Sequence, residues 1–391
     1  MTSRARIDAA LSRAVEAGEV PGVVALAATE NGVMYEGAFG RRDLPGGPAM
    51  TLDTVFRIAS MTKAVTSVAA MQLVEQGKLR LDQPIGDVLS ELAAPQVLEG
   101  FDSTGAPRLR PARRAITLRH LLTHTAGFGY EMLRPDLIRY VGFTDTPSTS
   151  TGKLASLRQP LVFDPGDRWE YGINTDWVGR IVEAVSGHSL DTYFGKHILA
   201  PLGMTDTGFV PSAEQLFRLV RVHQRRADGS LEPIAMETPA QREFLSGGGG
   251  LLSTGPDYLK FLQMLLNEGR SNGAQLLRPE TVALIAQNQV GDLLAGVWRT
   301  AMPERTNDLD LFPGARCRWG LASMITLDPG PNGRSAGSLT WAGLFNSYYW
   351  IDLQKRVTGV ILTQILPFAD QRAVQLCGEF ERGVYDALKA A

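Results

Sequence analysis

The sequence predicts an α/β fold of the α+β type, in which an antiparallel sheet flanked by N- and C-terminal helices is interrupted by a mostly helical inserted region. Two apolar runs near the start, over 22–29 and 33–39, are separated by Glu30-Asn31-Gly32, and Asn-Gly between such runs is a strong hairpin signal. Four more strand patterns lie near the end, over 319–327, 338–341, 347–352 and 357–363. Between these two groups, short helical patterns alternate with long polar loops.

Helical patterns flank both groups of strands. Ile7, Leu11 and Val15 recur at intervals of four, which predicts an amphipathic N-terminal helix. The stretch 61–79 has apolar residues on more than one face, which predicts a buried helix that stops at Gly77. Further helices are expected over 117–123, 177–185, 190–199, 256–266 and 370–388. Because the terminal strands must share one sheet, residues 1–80 and 245–391 are predicted to form an α/β domain. Residues 81–244 form an inserted helical, loop-rich domain, with the active site between the two.

Composition excludes several classes of function. The 391 residues are 44% hydrophobic and 20% charged, which is typical of a globular protein with a substantial core. With 39 basic and 41 acidic residues there is no basic excess to bind a phosphate backbone, so no nucleic-acid partner is predicted. The densest basic run, over 108–114, is interpreted as a solvated loop.

Cysteine content and hydropathy suggest a cytoplasmic protein. Cys317 and Cys377 are isolated and are interpreted as reduced core residues. The N-terminus lacks the apolar stretch of a signal peptide, and no run of about 18 apolar residues suggests a membrane span. We therefore expect a cytoplasmic location and no membrane partner, while the oligomeric state cannot be read from the sequence.

Ser60-Met61-Thr62-Lys63 is the motif with the most chemical content. Positions three apart share one face of a helix, so the hydroxyl and the amine can meet. A serine hydroxyl needs a base within hydrogen-bond reach, and a lysine can serve if burial or a neighbouring cation lowers its pKa. The alternative is an N-cap serine followed by a lysine that reaches solvent. Spacing alone leaves both interpretations open.

Four other patterns resemble functional motifs but have structural interpretations. A second S-x-x-K, Ser150 to Lys153, lies in a polar loop. The G-x-S-x-G over 333–337 follows turn residues rather than a strand, and no histidine follows Ser335, so it is interpreted as a loop. His120 and His124 have zinc-like spacing but lack the glutamate and third ligand of a metalloprotease motif, and the glycine-rich run 246–250 lacks the lysine of a P-loop. No metal or cofactor is predicted.

Five segments, taken together, resemble the serine β-lactamase and penicillin-binding protein family. They are FRIASMTK over 56–63, LLTHTAGF over 121–128, PGDRWEY over 165–171, GGGLLSTGPDY over 248–258 and LTWAGL over 339–344. They occur in the family's order and cover nearly the whole chain. They are most similar to the class C-like branch, with its family VIII carboxylesterases and lovastatin-type acyltransferases. The resemblance implies a β-lactamase/transpeptidase-like fold.

The resemblance also implies roles for individual residues. Ser60 matches the nucleophile, Lys63 its partner and Tyr171 the tyrosine of the second motif. If 341–343 is the third motif, the backbone N–H groups of Ser60 and Leu344 form the oxyanion hole. Trp341, Gly343, Tyr130 and Phe345 are candidate substrate-binding residues. Trp169, Trp177 and Tyr348 also lie near the motifs, where an ordinary core position is an equal alternative.

Two departures from the family pattern bear on the substrate. The second motif usually reads Tyr-x-Asn, but here Asn174 comes one position late, and the asparagine's role is not transferred to it. The third motif usually begins with Lys or His, which helps to bind a substrate carboxylate in β-lactamases and peptidases. Trp341 cannot supply that charge but does supply flat apolar surface. Both departures favour neutral esters over anionic β-lactams.

The expected activity is therefore a serine carboxylesterase that hydrolyses short-chain or aryl esters through an acyl-enzyme. Acyl transfer from the same acyl-serine is an open alternative, because hydrolysis and transfer differ only in the acceptor. A class C-like β-lactamase or D,D-peptidase and a non-enzymatic relative are the remaining alternatives. The natural substrate, and whether Lys63 or Tyr171 is the general base, cannot be read from the sequence.

Overall fold

A seven-stranded antiparallel sheet combines strands from both ends of the chain, as predicted. The computed structural model describes residues 2–236, 242–312 and 314–390. In chain order the strands are β1 (Gly22–Thr29), β2 (Gly32–Gly40), β3 (Cys317–Trp319), β4 (Met324–Thr326), β5 (Leu339–Gly343), β6 (Ser347–Asp352) and β7 (Val357–Leu362). Their order across the sheet is β3-β4-β5-β6-β7-β1-β2, so the N-terminal hairpin joins the C-terminal strands through the β1–β7 pair.

The middle of this sheet is covered on both faces. Strands β6 and β7 are buried at every position, and β1 is buried at all positions but its last. A strand with both faces covered needs apolar residues throughout, which is why these segments read as continuous apolar runs. Glu30 and Asn31 form the short connection between β1 and β2 that the hairpin signal predicts.

Helices account for the covering layers. They are α1 (Ser3–Glu16), α2 (Thr62–Glu75), α3 (Leu118–Leu122), α4 (Pro135–Thr144), α5 (Asn174–Ser186), α6 (Leu190–Phe194), α7 (Ala200–Leu202), α8 (Ala213–Arg218), α9 (Gly255–Leu266), α10 (Pro279–Ala286) and α11 (Gln371–Ala390). Adjacent residues of β6 face opposite sides of the sheet. Trp350 packs on Phe380 of α11 and Tyr349 packs on Tyr258 of α9, so the two helices cover opposite faces. Helix α1 lies beside α11.

Helix α2 is the buried helix that the sequence predicts. Every residue from Thr62 to Leu73 is buried, and the helix packs against α5. It ends at Glu75, just before Gly77, which adopts a φ of +70° that glycine tolerates best. The other predicted helices are also present, although the one expected over 190–199 is α6 continued by a π-helical turn, Gly195–Leu199.

One predicted strand is wrong. The stretch 319–327 is not a continuous strand, because β3 and β4 pair with each other as a hairpin, with Trp319 opposite Met324. Gly320 marks the break, since a Cβ there would lie 2.2 Å from the carbonyl oxygen of Ile285. A regular strand ends where another segment of the backbone approaches one of its glycines this closely.

The region 81–244 is helical and loop-rich, but it also contains strands that were not predicted. One hairpin pairs Gln96–Phe101 with Pro107–Pro111, and a second pairs Val222–Arg225 with Leu231–Ile234. Asp102 and Asp228 accept hydrogen bonds from backbone N–H groups in the two turns, which is the usual role of aspartate in turns. Short strand pairs elsewhere are Phe56–Arg57 with Leu252–Ser253, Arg270–Ser271 with Ala274–Gln275, and Val297–Trp298 with Leu309–Asp310; Ile365–Leu366 pairs with the second hairpin.

Cys317 and Cys377 are not bonded to each other, in agreement with the prediction of reduced thiols. Across the described residues, no helix combines the length and apolar character needed to cross a bilayer.

Candidate active site

Ser60 lies in a single 3₁₀ turn, Ala59–Met61, directly before α2. Segment 248–258 supports this turn from behind. Thr62 Oγ1 accepts a hydrogen bond from the Leu251 N–H at 3.1 Å, and the Tyr258 hydroxyl donates to the Met61 carbonyl at 2.9 Å. Ala59 has a φ of 44°, in the left-handed region that alanine rarely adopts. Strain of this kind persists only where the surroundings hold it, as at many functional sites.

Lys63 is buried, with 2% of its surface exposed, and its amine lies among three oxygens. Nζ is 3.1 Å from Ser60 Oγ, 3.1 Å from the Tyr130 hydroxyl and 2.6 Å from the Gly248 carbonyl oxygen. As an ammonium, Lys63 can donate to all three oxygens; as a neutral amine it has two N–H donors and one lone pair, so it can donate to Tyr130 and Gly248 while it accepts the Ser60 proton. The structure thus brings together the hydroxyl and the amine of the S-x-x-K motif, one helical turn apart.

Tyr130, predicted only as a substrate-binding residue, contacts Lys63 directly. Its hydroxyl accepts a hydrogen bond from Nζ, as given above, and its ring lies 5.3 Å from the same nitrogen. Burial raises the pKa of Tyr130 well above its ordinary value of 10, and the nearby Asp176 and Tyr171 raise it further. Tyr130 therefore keeps its proton at neutral pH and orients the amine as a neutral phenol.

Tyr171 approaches Lys63 with its ring face rather than its hydroxyl. The ring centroid is 4.7 Å from Lys63 Nζ, which is a cation–π distance. The hydroxyl accepts a hydrogen bond from the indole Nε1 of Trp341 at 3.1 Å, and Trp298 stacks on the ring at 5.4 Å. The indole N–H and the stacked Trp298 ring therefore fix the position of the Tyr171 phenol.

Asn174, which follows Tyr171 one position later than the family asparagine, does not line the cavity. It is fully buried, and its Nδ2 lies 3.0 Å from His124 Nδ1 and 3.3 Å from the Phe128 carbonyl oxygen. Burial lowers the pKa of His124 well below 6.5, and the charge of Lys63 lowers it further, so the imidazole is neutral. Asn174 and His124 thus connect α5 to the loop that leads to Tyr130.

Asp176 and Gly248 are parts of the site that sequence reasoning missed. Asp176 Oδ1 accepts hydrogen bonds from Ser246 Oγ at 2.6 Å and from the Gly248 N–H at 3.0 Å. Gly248 then offers its carbonyl to Lys63. A Cβ at Gly248 would lie 2.5 Å from Asp176 Oδ2, so only glycine allows the carboxylate this close. The run of four glycines was a signal for close backbone packing, but nothing in it pointed to an acid on α5.

The end of strand β5 forms the cavity wall beside the serine. Trp341 is buried with its indole N–H on Tyr171, and Gly343 ends the strand. A Cβ at Gly343 would lie 2.4 Å from the Ile58 carbonyl oxygen, so the strand end touches the chain just before Ser60. Leu344 and Phe345 follow and line the same cavity as Ser60. The geometry therefore brings the two predicted oxyanion-hole residues to one cavity wall.

A cavity of about 760 Å³ opens above these residues. It is lined by every predicted site residue except Lys63, which lies beneath the surface. Unpredicted side chains from segments distant in sequence also line it, notably Trp298, Phe209, Phe244, Leu216, Met302 and Phe368. Trp169, Trp177 and Tyr348 do not line it and pack in the core. The volume is within the usual range for small-molecule sites.

The patterns that were given structural interpretations lie elsewhere or have other partners. Ser150 is exposed at the cavity rim and lies 3.1 Å from Ser148 Oγ, while Lys153 is exposed. Ser335 is in a loop, and its N–H donates to Asp352. His120 Nδ1 accepts the Thr117 N–H at the start of α3. Within the described ranges, no three His, Cys, Asp or Glu side chains form a group suited to a metal ion.

Comparison with protein families adds an independent finding. The model of the family described as "Beta-lactamase" matches residues 7–376. Among curated proteins, the chain is 34% identical to monacolin J acid methylbutanoyltransferase of Aspergillus terreus, with 97% of this chain and 95% of that protein covered. It is 32% identical to the lovastatin esterase of Penicillium rubens, with 97% and 98% covered.

Solved structures agree with these relatives. The unliganded simvastatin synthase of Aspergillus terreus superposes with a TM-score of 0.86 at 32% identity, and each chain is covered completely. EstCE1, described as a hydrolase with promiscuous acyltransferase activity, superposes with a TM-score of 0.78 at 24% identity, with 98% of each chain covered. That identity supports a common fold only.

Proposed function

Since the chain belongs to the beta-lactamase family, in which its relatives are acyl-transferring serine enzymes, we propose that it is a serine carboxylesterase that forms an acyl-enzyme on Ser60. One observation carries the proposal. The only amine that contacts Ser60 Oγ within the described chain is the buried Lys63, and the two meet at the floor of a cavity large enough for an ester.

Acylation begins when Ser60 Oγ attacks the ester carbonyl and loses its proton. Lys63 Nζ lies within hydrogen-bond distance of Ser60 Oγ. The Tyr171 ring lies against Lys63, and its phenol oxygen accepts the Trp341 N–H. We assign the initial proton acceptance to Lys63, because it alone is in direct contact with the hydroxyl. Tyr171 then gives its phenol proton to the departing alkoxide and takes the serine proton from Lys63, so that both groups end the step as they began it. The Trp341 N–H holds the phenol oxygen for these transfers.

The developing oxyanion requires donors on the opposite side of the carbonyl carbon. The backbone N–H groups of Ser60 and Leu344 are the candidates for these donors, because both residues line the cavity and the contact between Gly343 and Ile58 holds their chain segments together. Each such donor contributes about 3 kcal/mol to the stabilisation of the tetrahedral intermediate. Water then attacks the acyl-serine by the reverse sequence of proton transfers.

A second candidate function is transfer of the acyl group to an alcohol instead of water. The cavity volume favours it, because about 760 Å³ can accommodate an acyl chain and a sizeable alcohol together. Relatives over 30% identical include both acyltransferases and an esterase, and both activities use one acyl-serine. β-Lactam hydrolysis is less favoured, because Trp341 occupies the position from which a cation would bind the substrate carboxylate.

Substitution of the nucleophile tests the proposal. We expect Ser60→Ala to lower the release of p-nitrophenol from p-nitrophenyl butyrate by roughly 10⁴-fold or more, and to abolish labelling by a fluorophosphonate. Ser150→Ala is the matched control, because Ser150 begins the other S-x-x-K and lines the same cavity. It should retain near wild-type turnover. Undiminished turnover in Ser60→Ala would remove Ser60 from the mechanism.

Product analysis separates hydrolysis from transfer. With p-nitrophenyl butyrate and an added primary alcohol, an esterase gives mainly butyrate, whereas an acyltransferase gives mainly the new ester. If p-nitrophenol forms at the same rate whether butyrate or the new ester is the main product, both activities use the same acyl-enzyme.

A further inference from the structure

Around Lys63, four titratable side chains of the described residues face the amine from three directions. Tyr130 and His124 come from the loops around α3, Tyr171 from the segment before α5, and Asp176 from α5 itself. As shown above, Tyr130 keeps its proton and His124 is neutral. Asp176 is therefore the carboxylate of this set, and it is 3% exposed.

Asp176 has no direct salt bridge to Lys63. It is connected to the lysine through one residue: its Oδ1 accepts the N–H of Gly248, whose carbonyl accepts a hydrogen bond from Lys63 Nζ at 2.6 Å. Burial raises the pKa of Asp176 above its ordinary value, although the charge of Lys63, the Ser246 hydroxyl and the Gly248 N–H each act to lower it. A carboxylate that is buried without such compensation would be costly.

We propose that Asp176 is a positioning residue for acylation, acting on Lys63 through Gly248. It fixes the Gly248 carbonyl on the amine and supplies the buried negative charge that stabilises Lys63 once it has taken the proton from Ser60. The arrangement resembles the acid of a catalytic triad in function, since an acid there orients and stabilises the protonated base. It differs because a glycine residue stands between acid and base.

This inference rests on the proposed function, and it makes a specific prediction about pH. A base accepts the serine proton only while it is unprotonated, so activity rises with pH on the acid side. Removing a nearby negative charge makes the protonated base less stable. In Asp176→Asn the acid limb of the kcat/KM profile should therefore move to lower pH, and kcat/KM on the plateau should fall roughly 10- to 100-fold. This loss is smaller than the 10⁴-fold typical of an acid in direct contact with the base.

The experiment measures kcat and KM for p-nitrophenyl butyrate across the pH range in which the wild type is stable. Asp257→Asn is the matched control, because Asp257 is another 3%-exposed carboxylate that is bonded elsewhere, to Thr207 and the Asp206 N–H. It should lose stability without moving the acid limb. An acid limb in Asp176→Asn that stays in place, or moves to higher pH, overturns the proposal.

A second variant keeps the test decisive if Asp176→Asn does not fold. Ser246→Ala leaves the carboxylate in place but removes the hydroxyl that lowers its pKa, so Asp176 takes up a proton at higher pH than in the wild type. We expect near wild-type kcat/KM at alkaline pH and a deficit that grows as pH falls. A constant deficit at every pH contradicts the proposal. Failure of the proposed function is distinguishable, because the wild type would then show no acylation at all.

Discussion

The floor and the rim of the cavity are built in different ways. The floor of the cavity is formed by side chains on or next to α2, α5 and β5, namely Ser60, Lys63, Tyr130, Tyr171 and Trp341. Apart from Ser60 and Tyr130, these side chains are at most 4% exposed. The outer rim, residues 148–152 and 209–219, consists of loops, a 3₁₀ turn and the short α8. Leu216 of the rim is 56% exposed.

We expect this difference to separate the residues that carry out the reaction, on the floor, from those that select the substrate, on the rim. The floor is preorganised by hydrogen bonds among buried groups, so a small displacement there changes the reacting geometry. The rim contacts whatever enters the cavity and can change without disturbing that geometry. Substitutions on the floor are therefore expected to act on kcat, and substitutions on the rim on the preference among substrates.

The largest effect after loss of Ser60 is expected at Tyr171, one of the two tyrosines that contact Lys63. Tyr171→Phe should lower kcat for p-nitrophenyl butyrate by roughly 10³-fold, because it removes the proton donor to the departing alkoxide. Tyr130→Phe should lower it by only about 10-fold, because it removes one hydrogen bond that orients the amine. If the two variants were equally impaired, the assignment of a transfer role to Tyr171 alone would be wrong.

A smaller effect is expected at Trp341. Trp341→Phe keeps an aromatic ring but removes the N–H that contacts the Tyr171 hydroxyl at 3.1 Å. One hydrogen bond to a group that gains charge contributes about 1.5 kcal/mol, so kcat should fall roughly 10-fold while KM changes little. A dominant change in KM would mean that the indole binds substrate by its apolar surface, as was inferred from the sequence.

What could be predicted from the sequence depends on whether a feature is set by local pattern or by tertiary packing. The sheet, its terminal helices and the S-x-x-K contact follow from local periodicity and spacing, which the structure preserves. Strand 319–327 was wrong because Gly320 is held against Ile285, a neighbour far away in sequence. Asp176 and Trp298 were missed for a similar reason, since neither is part of a pattern and each enters the site through tertiary packing.

Rim residues were also unpredictable, because exposed loop positions carry no periodic signal. Phe209, Leu216 and Phe244 line the cavity from segments that pack together only in the folded chain. The resemblance to serine β-lactamases pointed to Ser60, Lys63, Tyr171 and Trp341 on the floor, but it pointed to no residue of the rim. The domain boundaries at about residues 80 and 245 remain a prediction from the sequence.

The smallest effect is expected at Leu216, and it tests whether the rim determines selectivity. Leu216 is exposed and lines the cavity, so a long acyl chain or alcohol that extends to the mouth would cover it. Each buried methylene contributes about 0.8 kcal/mol, or about fourfold in kcat/KM. Leu216→Ala should therefore lower the ratio of kcat/KM for p-nitrophenyl octanoate over butyrate by roughly fourfold, with kcat for butyrate unchanged.

Phe217→Ala is the matched control for that measurement. Phe217 is the next residue on α8 and is more exposed, at 85%, but it does not line the cavity. If exposure of apolar surface alone attracted the longer ester, Phe217→Ala would shift the ratio at least as much as Leu216→Ala. If position on the cavity wall matters, only the Leu216 variant changes its preference, because only that side chain faces the bound chain. A shift confined to Leu216→Ala would therefore assign selectivity to the rim while leaving the acyl-transfer chemistry on the floor.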